Sequence, residues 1–219
     1  MEFLLKVVIA YLLGSIIGAL WVGRLLGHVD IREMGSGNAG GTNALRTQGW
    51  FFALLVVIID VGKGVLAAGW LPFVPIPGLA AEPAIGPAWV QVCCAGAAVV
   101  GHVFPVYHRF KGGKGAATLL GTLTFISWQA IAVVLVSWLL VVGSTGYVGL
   151  ATVLAVLGAA AYAGVVNPVS SPIVIFLAVM SVFIVFTHRS NLARMRAGNE
   201  NRMHKLMILR RAKDSSDDD

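Results

Sequence analysis

Three polar segments in an otherwise apolar chain hold residue types that can grip an anion. The first runs from Asp30 to Arg46 and carries Gly35, Ser36, Gly37, Asn38, Gly40, Gly41, Thr42, Asn43 and Arg46. Closely spaced glycines let successive backbone N–H groups turn toward one point. Ser36, Asn38, Thr42 and Asn43 add uncharged hydrogen-bonding groups, and Arg46 adds a planar cation suited to phosphate. Glycine mixed with small polar residues ordinarily marks a solvated loop. This stretch lacks the Lys and Glu density of a linker and crowds its donors together, which points to a site.

The second segment runs from Gly101 to Thr118. Lys111 and Lys114 bracket Gly112 and Gly113, and Gly115 follows, just ahead of an apolar helix. Helix-start amides beside a lysine make an anion site. A nucleotide P-loop is excluded, because that motif ends in Gly-Lys-Ser/Thr and Lys114 is followed by Gly115. A lipid anchor would need the charge but not the three glycines. His102 sits at the end of a predicted span, where a lone histidine is more commonly structural. The third segment, His188 to Arg202, places His188, Asn191 and Met195 at helical spacing, with Arg194 and Gly198 four residues apart. A basic helix lying on anionic lipid accounts for Arg189, Arg196 and the charges after Arg202. It leaves His188, Asn191 and Glu200 unexplained.

The elements that must position these segments are membrane spans. The 219 residues are 58% hydrophobic and only 12% charged, with mean hydropathy +0.84. Soluble domains carry about 25% charged residues. The net charge of +6 does not indicate nucleic acid, because fourteen of the sixteen basic residues lie in 24–50, in 106–115 and from 188 onward, in and around the three polar segments. No Asp, Glu, Lys or Arg occurs from Ala116 to Thr187. Basic residues collect on the cytoplasmic side of a membrane, so the three segments are expected inside and the proline-rich loop (Pro72, Pro75, Pro77, Pro83, Pro87) outside. A span needs roughly 20 apolar residues. The predicted fold is an all-α integral membrane protein with seven transmembrane helices, near 3–23, 51–71, 88–105, 116–126, 128–143, 147–165 and 171–187. The N-terminus is then outside and the C-terminus cytoplasmic. Residues 1–205 form a single polytopic domain, and 206–219 form a polar, disordered cytoplasmic tail. The first segment is retained, since no small-residue cleavage site follows it. Cys93 and Cys94 are packing residues. Asp60 and Lys63 share a helix face inside a span, where each charge costs about 2.5–3.5 kcal/mol. A mutually neutralising pair that fixes helix packing is the simpler account of them.

Taken together, the segments resemble the bacterial acyl-phosphate:glycerol-3-phosphate acyltransferase (PlsY) family. The matching pieces are Gly35-Ser36-Gly37-Asn38 with Thr42, Asn43 and Arg46; Gly101-His102 with Phe104-Pro105 and Gly112-Gly113-Lys114-Gly115; and His188 with Asn191, Arg194, Gly198 and Glu200. Asp60, Lys63 and Gly64 also look like the family's residues. Ala39 departs from it, standing where the family commonly has proline. The resemblance implies seven spans and a cytoplasmic active site in the bacterial inner membrane. It implies one reaction: a fatty acyl phosphate acylates the 1-hydroxyl of glycerol 3-phosphate, giving 1-acylglycerol 3-phosphate and phosphate, the opening step of phospholipid synthesis. Ser36, Asn38, Arg46, Lys114, His188 and Asn191 would then be catalytic. Gly35, Gly37, Gly40, Thr42, Asn43, His102, Lys111, Gly112, Gly113, Gly115, Arg194, Gly198 and Glu200 would bind substrate. Direct attack without an acyl-enzyme fits an already activated donor, with a substrate phosphate oxygen or His188 as base. No cofactor or metal is expected, the partners are the two substrates and membrane lipid, and the protein is read as a monomer. The competing reading is a transporter or channel for a phosphorylated anion. It suits the intramembrane charges, but not the gathering of polar groups on one side.

Overall fold

The computed structural model describes residues 1–79 and 84–207. All of the expected tail except Leu206 and Met207 lies outside those residues, as do Glu82 and Pro83 of the proline-rich loop. The described residues are all helix and connecting turn. In order the helices are α1 (Glu2–Gly14), α2 (Gly18–Leu25), α3 (Gly41–Gln48), α4 (Trp50–Gly69), α5 (Pro87–Val103), α6 (Ala116–Ile126), α7 (Trp128–Thr145), α8 (Val148–Val166), α9 (Pro172–Thr187) and α10 (Arg189–Arg196). Among the described residues, four helical stretches are long and apolar enough to cross a membrane: Trp50–Phe73, Pro87–His108, Trp128–Thr145 and Val148–Val166. The number rises to six if the bent pairs α1–α2 and α9–α10 each count as one span, and α6 is a shorter apolar helix. The chain forms two compact units, Met1–Trp128 and Gln129–Asp219.

In the first unit α4 is central. It packs along α6 and also meets α5, α3, α2 and α1, while α1 pairs with α5. Lipid supplies no hydrophobic drive between helices, so close backbone approach through small residues must do the work. A Cβ on Gly64 of α4 would strike the Thr118 carbonyl of α6, and one on Gly121 of α6 would strike the Val61 carbonyl of α4. Gly14 lies in the same way against Ala98, joining α1 to α5. The far end of α1 is tied down by polar contacts. Lys6 pairs with Glu2 at 2.9 Å and donates to the Pro72 carbonyl at 2.8 Å. The Glu2 carboxylate also accepts from the Ile76 amide at 3.3 Å.

The predicted first span is not one straight helix. It breaks at Ser15–Ile17 and bends by 46°, with no proline to cause it. Side chains inserted into the helix ladder cause it instead. Lys63 Nζ takes the Ile16 carbonyl at 2.5 Å, and the Gly18 amide donates to Asp60 Oδ1 at 3.1 Å. Asp60 and Lys63, 2.9 Å apart, therefore neutralise each other and cap both sides of the break.

In the second unit α8 packs on α9, with Ala151, Ala155, Ala159 and Ala163 of α8 buried at four-residue intervals. The Ser181 hydroxyl of α9 reaches the Val156 carbonyl of α8 at 3.3 Å. Only 17% of α7 is buried, and its exposed Leu135, Val136, Leu139 and Leu140 suit contact with acyl chains.

The α1–α2 break gives the first expected outcome. Lys63→Met leaves a buried carboxylate without its counter-ion and lowers stability by about 3–5 kcal/mol. Asp60→Asn/Lys63→Met removes both charges and costs less than Lys63→Met alone. Thermal unfolding of the detergent-purified proteins orders the two. A double variant less stable than Lys63→Met would show that charge compensation is not what holds the break.

Candidate functional site

The first polar segment is a loop wrapped around one side chain, followed by a short helix. Asn43, only 1% exposed, lies on α3. Its Nδ2 donates to the carbonyls of Ile31 at 2.9 Å and Met34 at 3.0 Å. Its Oδ1 accepts from the Ser36 amide at 2.9 Å. Gly35 turns through φ 58° directly over that oxygen, where a Cβ would collide with it. The Gly37 amide bonds back to Met34 at 3.0 Å. Asn43, expected to bind substrate, is thus the core of the loop, and the Ser36 amide is occupied by it. The Ser36 side chain is exposed, and Asn38 and Thr42 are half-buried. Arg46 lies exposed in the last turn of α3. Sequence reasoning placed Thr42, Asn43 and Arg46 in a loop and missed this helix. Ala39, where the family pattern has proline, is fully buried with Ile17, Leu20, Phe52 and Val56, so packing holds the loop at that point.

The second segment is equally braced. Tyr11 of α1 donates to the Phe104 carbonyl at 2.7 Å, and Ser15 Oγ accepts from the Val106 amide at 3.4 Å. Arg109 and Phe110 follow in left-handed conformations, φ 53° and 58°. For residues with a Cβ such backbone costs roughly 1–2 kcal/mol each. The chain then turns back so that Gly112 donates to Val103 at 3.2 Å and Gly113 to His102 at 3.1 Å. These two amides, expected to cradle an anion, are spent on the loop itself. The amides that remain for an anion are those of the first turn of α6, which a helix cannot satisfy internally. Gly115 introduces that turn with φ 87°, Lys114 stands half-buried just before it, and Lys111 is exposed. His102 is buried at the end of α5, and its Nδ1 lies 2.8 Å from Lys63 Nζ.

The two segments meet. Arg32, clamped by Asp30 through contacts of 2.6–3.1 Å, donates from Nη1 to the Lys111 carbonyl at 3.2 Å. The Arg32 guanidinium holds the Asp30 carboxyl below the ordinary aspartate value of 3.8. Neither residue stood out in the sequence, since a short Asp-x-Arg pair reads as surface charge.

The second unit carries the third segment. His188 sits at the junction of α9 and α10, 5% exposed. Its Nδ1 is 2.9 Å from the Ile184 carbonyl. A carbonyl only accepts, so Nδ1 carries the proton, and neutral His188 keeps its lone pair on Nε2. Helix α10 stops at a left-handed Gly198, φ 73°. Gly198 donates to Met195 at 3.1 Å and Asn199 to Arg194 at 3.0 Å, the double bond pattern of a glycine-terminated helix. The reversal brings Glu200 back along α10, where it accepts from Asn191 Nδ2 at 2.7 Å and Arg194 Nε at 2.6 Å. Gly149 of α8 clears space for Asn191, whose Cβ would lie 2.8 Å from any Cβ there. Gly198 and Glu200, expected to contact substrate, are placed where they fix Asn191 and Arg194.

Residues 4–198 match the glycerol-3-phosphate acyltransferase family. A glycerol-3-phosphate acyltransferase from Chlorobaculum tepidum is 36% identical over 93% of this chain and 97% of its own length. One from Salinibacter ruber is 37% identical over 89% and 90%. The fold is similar to the crystal structure of PlsY (YgiH), an integral membrane glycerol 3-phosphate acyltransferase, in its glycerol 3-phosphate form. The TM-score is 0.79 at 32% identity, over 95% of this chain and 99% of that one. A lysophosphatidic acid form matches at TM-score 0.78.

Two outcomes test the bracing. Asn43→Asp is isosteric but cannot donate to Ile31 and Met34. It should destabilise the protein by about 1–3 kcal/mol, as Asn43→Ala does, and thermal unfolding measures both. An aspartate variant of wild-type stability would remove Asn43 from this role. The stability that Asp30 draws from Arg32 is present above 3.8 and is lost as pH falls through the lower folded value. Unfolding in urea between pH 5 and pH 3 should therefore be less pH-dependent in Asp30→Asn than in wild type; equal slopes would contradict it.

Proposed function

The chain belongs to the glycerol-3-phosphate acyltransferase family, and on that premise we propose that it takes its acyl group from a fatty acyl phosphate. The acceptor is the 1-hydroxyl of glycerol 3-phosphate, and the products are 1-acylglycerol 3-phosphate and inorganic phosphate. One observation carries the reading: two glycine-rich segments are braced together through Arg32 and Lys111, with Ser36, Arg46 and Lys114 on them. That suits a reaction in which both substrates are phosphorylated and one has a long apolar chain.

The step needs no acyl-enzyme. The glycerol hydroxyl oxygen attacks the acyl carbonyl carbon, and the bond from that carbon to the phosphate oxygen breaks. The hydroxyl proton passes to a phosphate oxygen of the donor, which leaves as inorganic phosphate; Nε2 of His188, the ring nitrogen across from the one that meets Ile184, is the protein alternative. Orientation supplies most of the rate, up to about 7–11 kcal/mol in comparable chemistry. Ser36 and Asn38 face the donor phosphate or the developing oxyanion, for which one donor contributes about 10²–10³ in rate. Arg46 and Lys114 hold phosphate by charge-assisted contacts. His188, Asn191 and Arg194 serve glycerol 3-phosphate, with Asn191 and Arg194 oriented by Glu200. The solved relative's glycerol 3-phosphate and lysophosphatidic acid forms support this acceptor and product.

We further read α1–α2, α4, α5, α6, α7, α8 and α9 as seven spans, with the N-terminus outside and the C-terminus in the cytoplasm. The basic residues of 24–50, 106–115 and 188 onward then all face inward, which supports a bacterial inner-membrane enzyme with a cytoplasmic active site. Residues 1–205 act as one catalytic domain of a monomer, and 206–219 as a tail.

Purified protein given palmitoyl phosphate should release phosphate only when glycerol 3-phosphate is present, forming the lysophospholipid. Palmitoyl-CoA should give no product. Lys114→Ala should lower kcat/KM for glycerol 3-phosphate by roughly 10²-fold, the equivalent of one strong charged contact. Transfer from palmitoyl-CoA would refute the donor assignment. A Lys114→Ala enzyme within a few-fold of wild type would refute the phosphate assignment.

A further inference from the structure

Asp60, Lys63 and His102 are 1%, 3% and 2% exposed; the first two lie within α4 and His102 in the last turn of α5. An ion pair buried this deeply is poor stabilisation, since apolar side chains of similar size commonly do as well or better. Its geometry gives it another use. A lysine ammonium has three N–H donors and no acceptor. All three are directed: to Asp60 Oδ1 at 2.9 Å, to the Ile16 carbonyl at 2.5 Å and to His102 Nδ1 at 2.8 Å. With Lys63 charged, Nδ1 is the acceptor for the third of these donors, and the same nitrogen lies 3.4 Å from Asp60 Oδ1. Neutral His102 therefore carries its proton on Nε2, the ring atom on the opposite side from Lys63.

That ring edge is the floor of the second polar loop. A Cβ added to Gly113 would collide with Nε2 itself, and one added to Gly112 would collide with the His102 carbonyl. The same carbonyl accepts from the Gly113 amide at 3.1 Å. His102 thus meets the residue immediately before Lys114 through both its ring and its backbone. The start of the loop is referred to the same node. Ser15, at the helix break that Lys63 caps, holds the Val106 amide at 3.4 Å. Tyr11, one turn earlier, holds the Phe104 carbonyl at 2.7 Å.

We propose that His102, oriented by the buried Lys63–Asp60 pair, is the positioning residue for the Lys114 loop. It sets where the lysine and the α6 start present themselves to a phosphorylated substrate, without touching that substrate. The proposal rests on the assignment of Lys114 to glycerol 3-phosphate.

His102→Asn separates the two functions of the ring. It retains an acceptor near Lys63 and removes the floor beneath Gly113. The expected result is a rise of roughly tenfold in both the calorimetric Kd and the KM for glycerol 3-phosphate, with kcat and Tm close to wild type. Gly113→Ala should raise Kd by a similar factor in wild type, but by less than about threefold in the His102→Asn background, where the new methyl group has room. An unchanged Kd in folded His102→Asn protein would overturn the proposal, as would an equal Gly113→Ala penalty in both backgrounds. If His102→Asn does not accumulate, Asp60→Asn/Lys63→Met leaves the ring in place but unoriented. It should give the same rise in Kd, and a wild-type Kd would again be decisive against the idea. Failure of the functional reading looks different: wild-type protein itself would then neither bind glycerol 3-phosphate nor release phosphate in its presence.

Discussion

An ammonium ion removed from water needs three acceptors, and the first unit is arranged around the one that Lys63 carries. The acceptors are Asp60 on α4, the Ile16 carbonyl in the break between α1 and α2 and His102 on α5. Since the hydrophobic effect does not sort one apolar helix against another within lipid, directional contacts of this kind carry information that apolar side chains cannot. They specify which turn of α4 meets which turn of α1 and α5. Glycine contacts then set how closely the helices approach. Gly14 against Ala98, Gly64 against Thr118 and Gly121 against Val61 bring backbones together where any side chain would separate them. The break in α1 follows from the same node, because a continuous helix would have used the Ile16 carbonyl internally.

The polar loops obey one division of labour. Groups with fixed geometry face inward and brace the backbone, while Arg46 and Lys111 are exposed. Asn43 uses both its oxygen and its amino group on the first loop. Gly112 and Gly113 use their amides on the α5 terminus, and Glu200 uses both carboxylate oxygens on Asn191 and Arg194. An anion meeting such loops finds side chains and helix starts rather than a ring of free amides. The bracing also accounts for the left-handed Arg109 and Phe110. A conformation that unfavourable persists only where its surroundings over-determine it, and here Phe110 and Lys111 are both bonded back into the turn, to Pro105 and His108.

Much of this was legible in the sequence because membrane physics leaves few choices. Apolar runs between charged segments located every helix from α4 to α9 to within a few residues. The three polar segments stood out because the stretches between them are almost wholly apolar, Asp60 and Lys63 excepted. The sequence does not reveal side-chain direction. Asn43 and Ser36 both read as donors for a ligand, yet one is buried and the other exposed, because α3 turns Asn43 inward and periodicity over eight residues is too short to announce it. The contacts of Glu200 and Gly198 were hidden for the same reason: they depend on a chain reversal that only the fold displays. The bend in α1 was hidden because its causes, Asp60 and Lys63, lie more than 40 residues away.

The second unit shows why a carboxylate can belong to a phosphate enzyme. An uncompensated Glu200 near a substrate phosphate would repel it. Glu200 is 5% exposed at its side chain and bonded to Arg194 at 2.6 Å, so its charge is spent before any substrate arrives. What the cluster then offers is a held amide from Asn191, a guanidinium fixed in direction by Glu200, and an imidazole whose Nδ1 is fixed by Ile184. These groups carry little net charge, which suits them to the hydroxyl end of the acceptor as much as to its phosphate. The stronger cationic character stays with the loops of the first unit, where Arg46 and Lys114 reside.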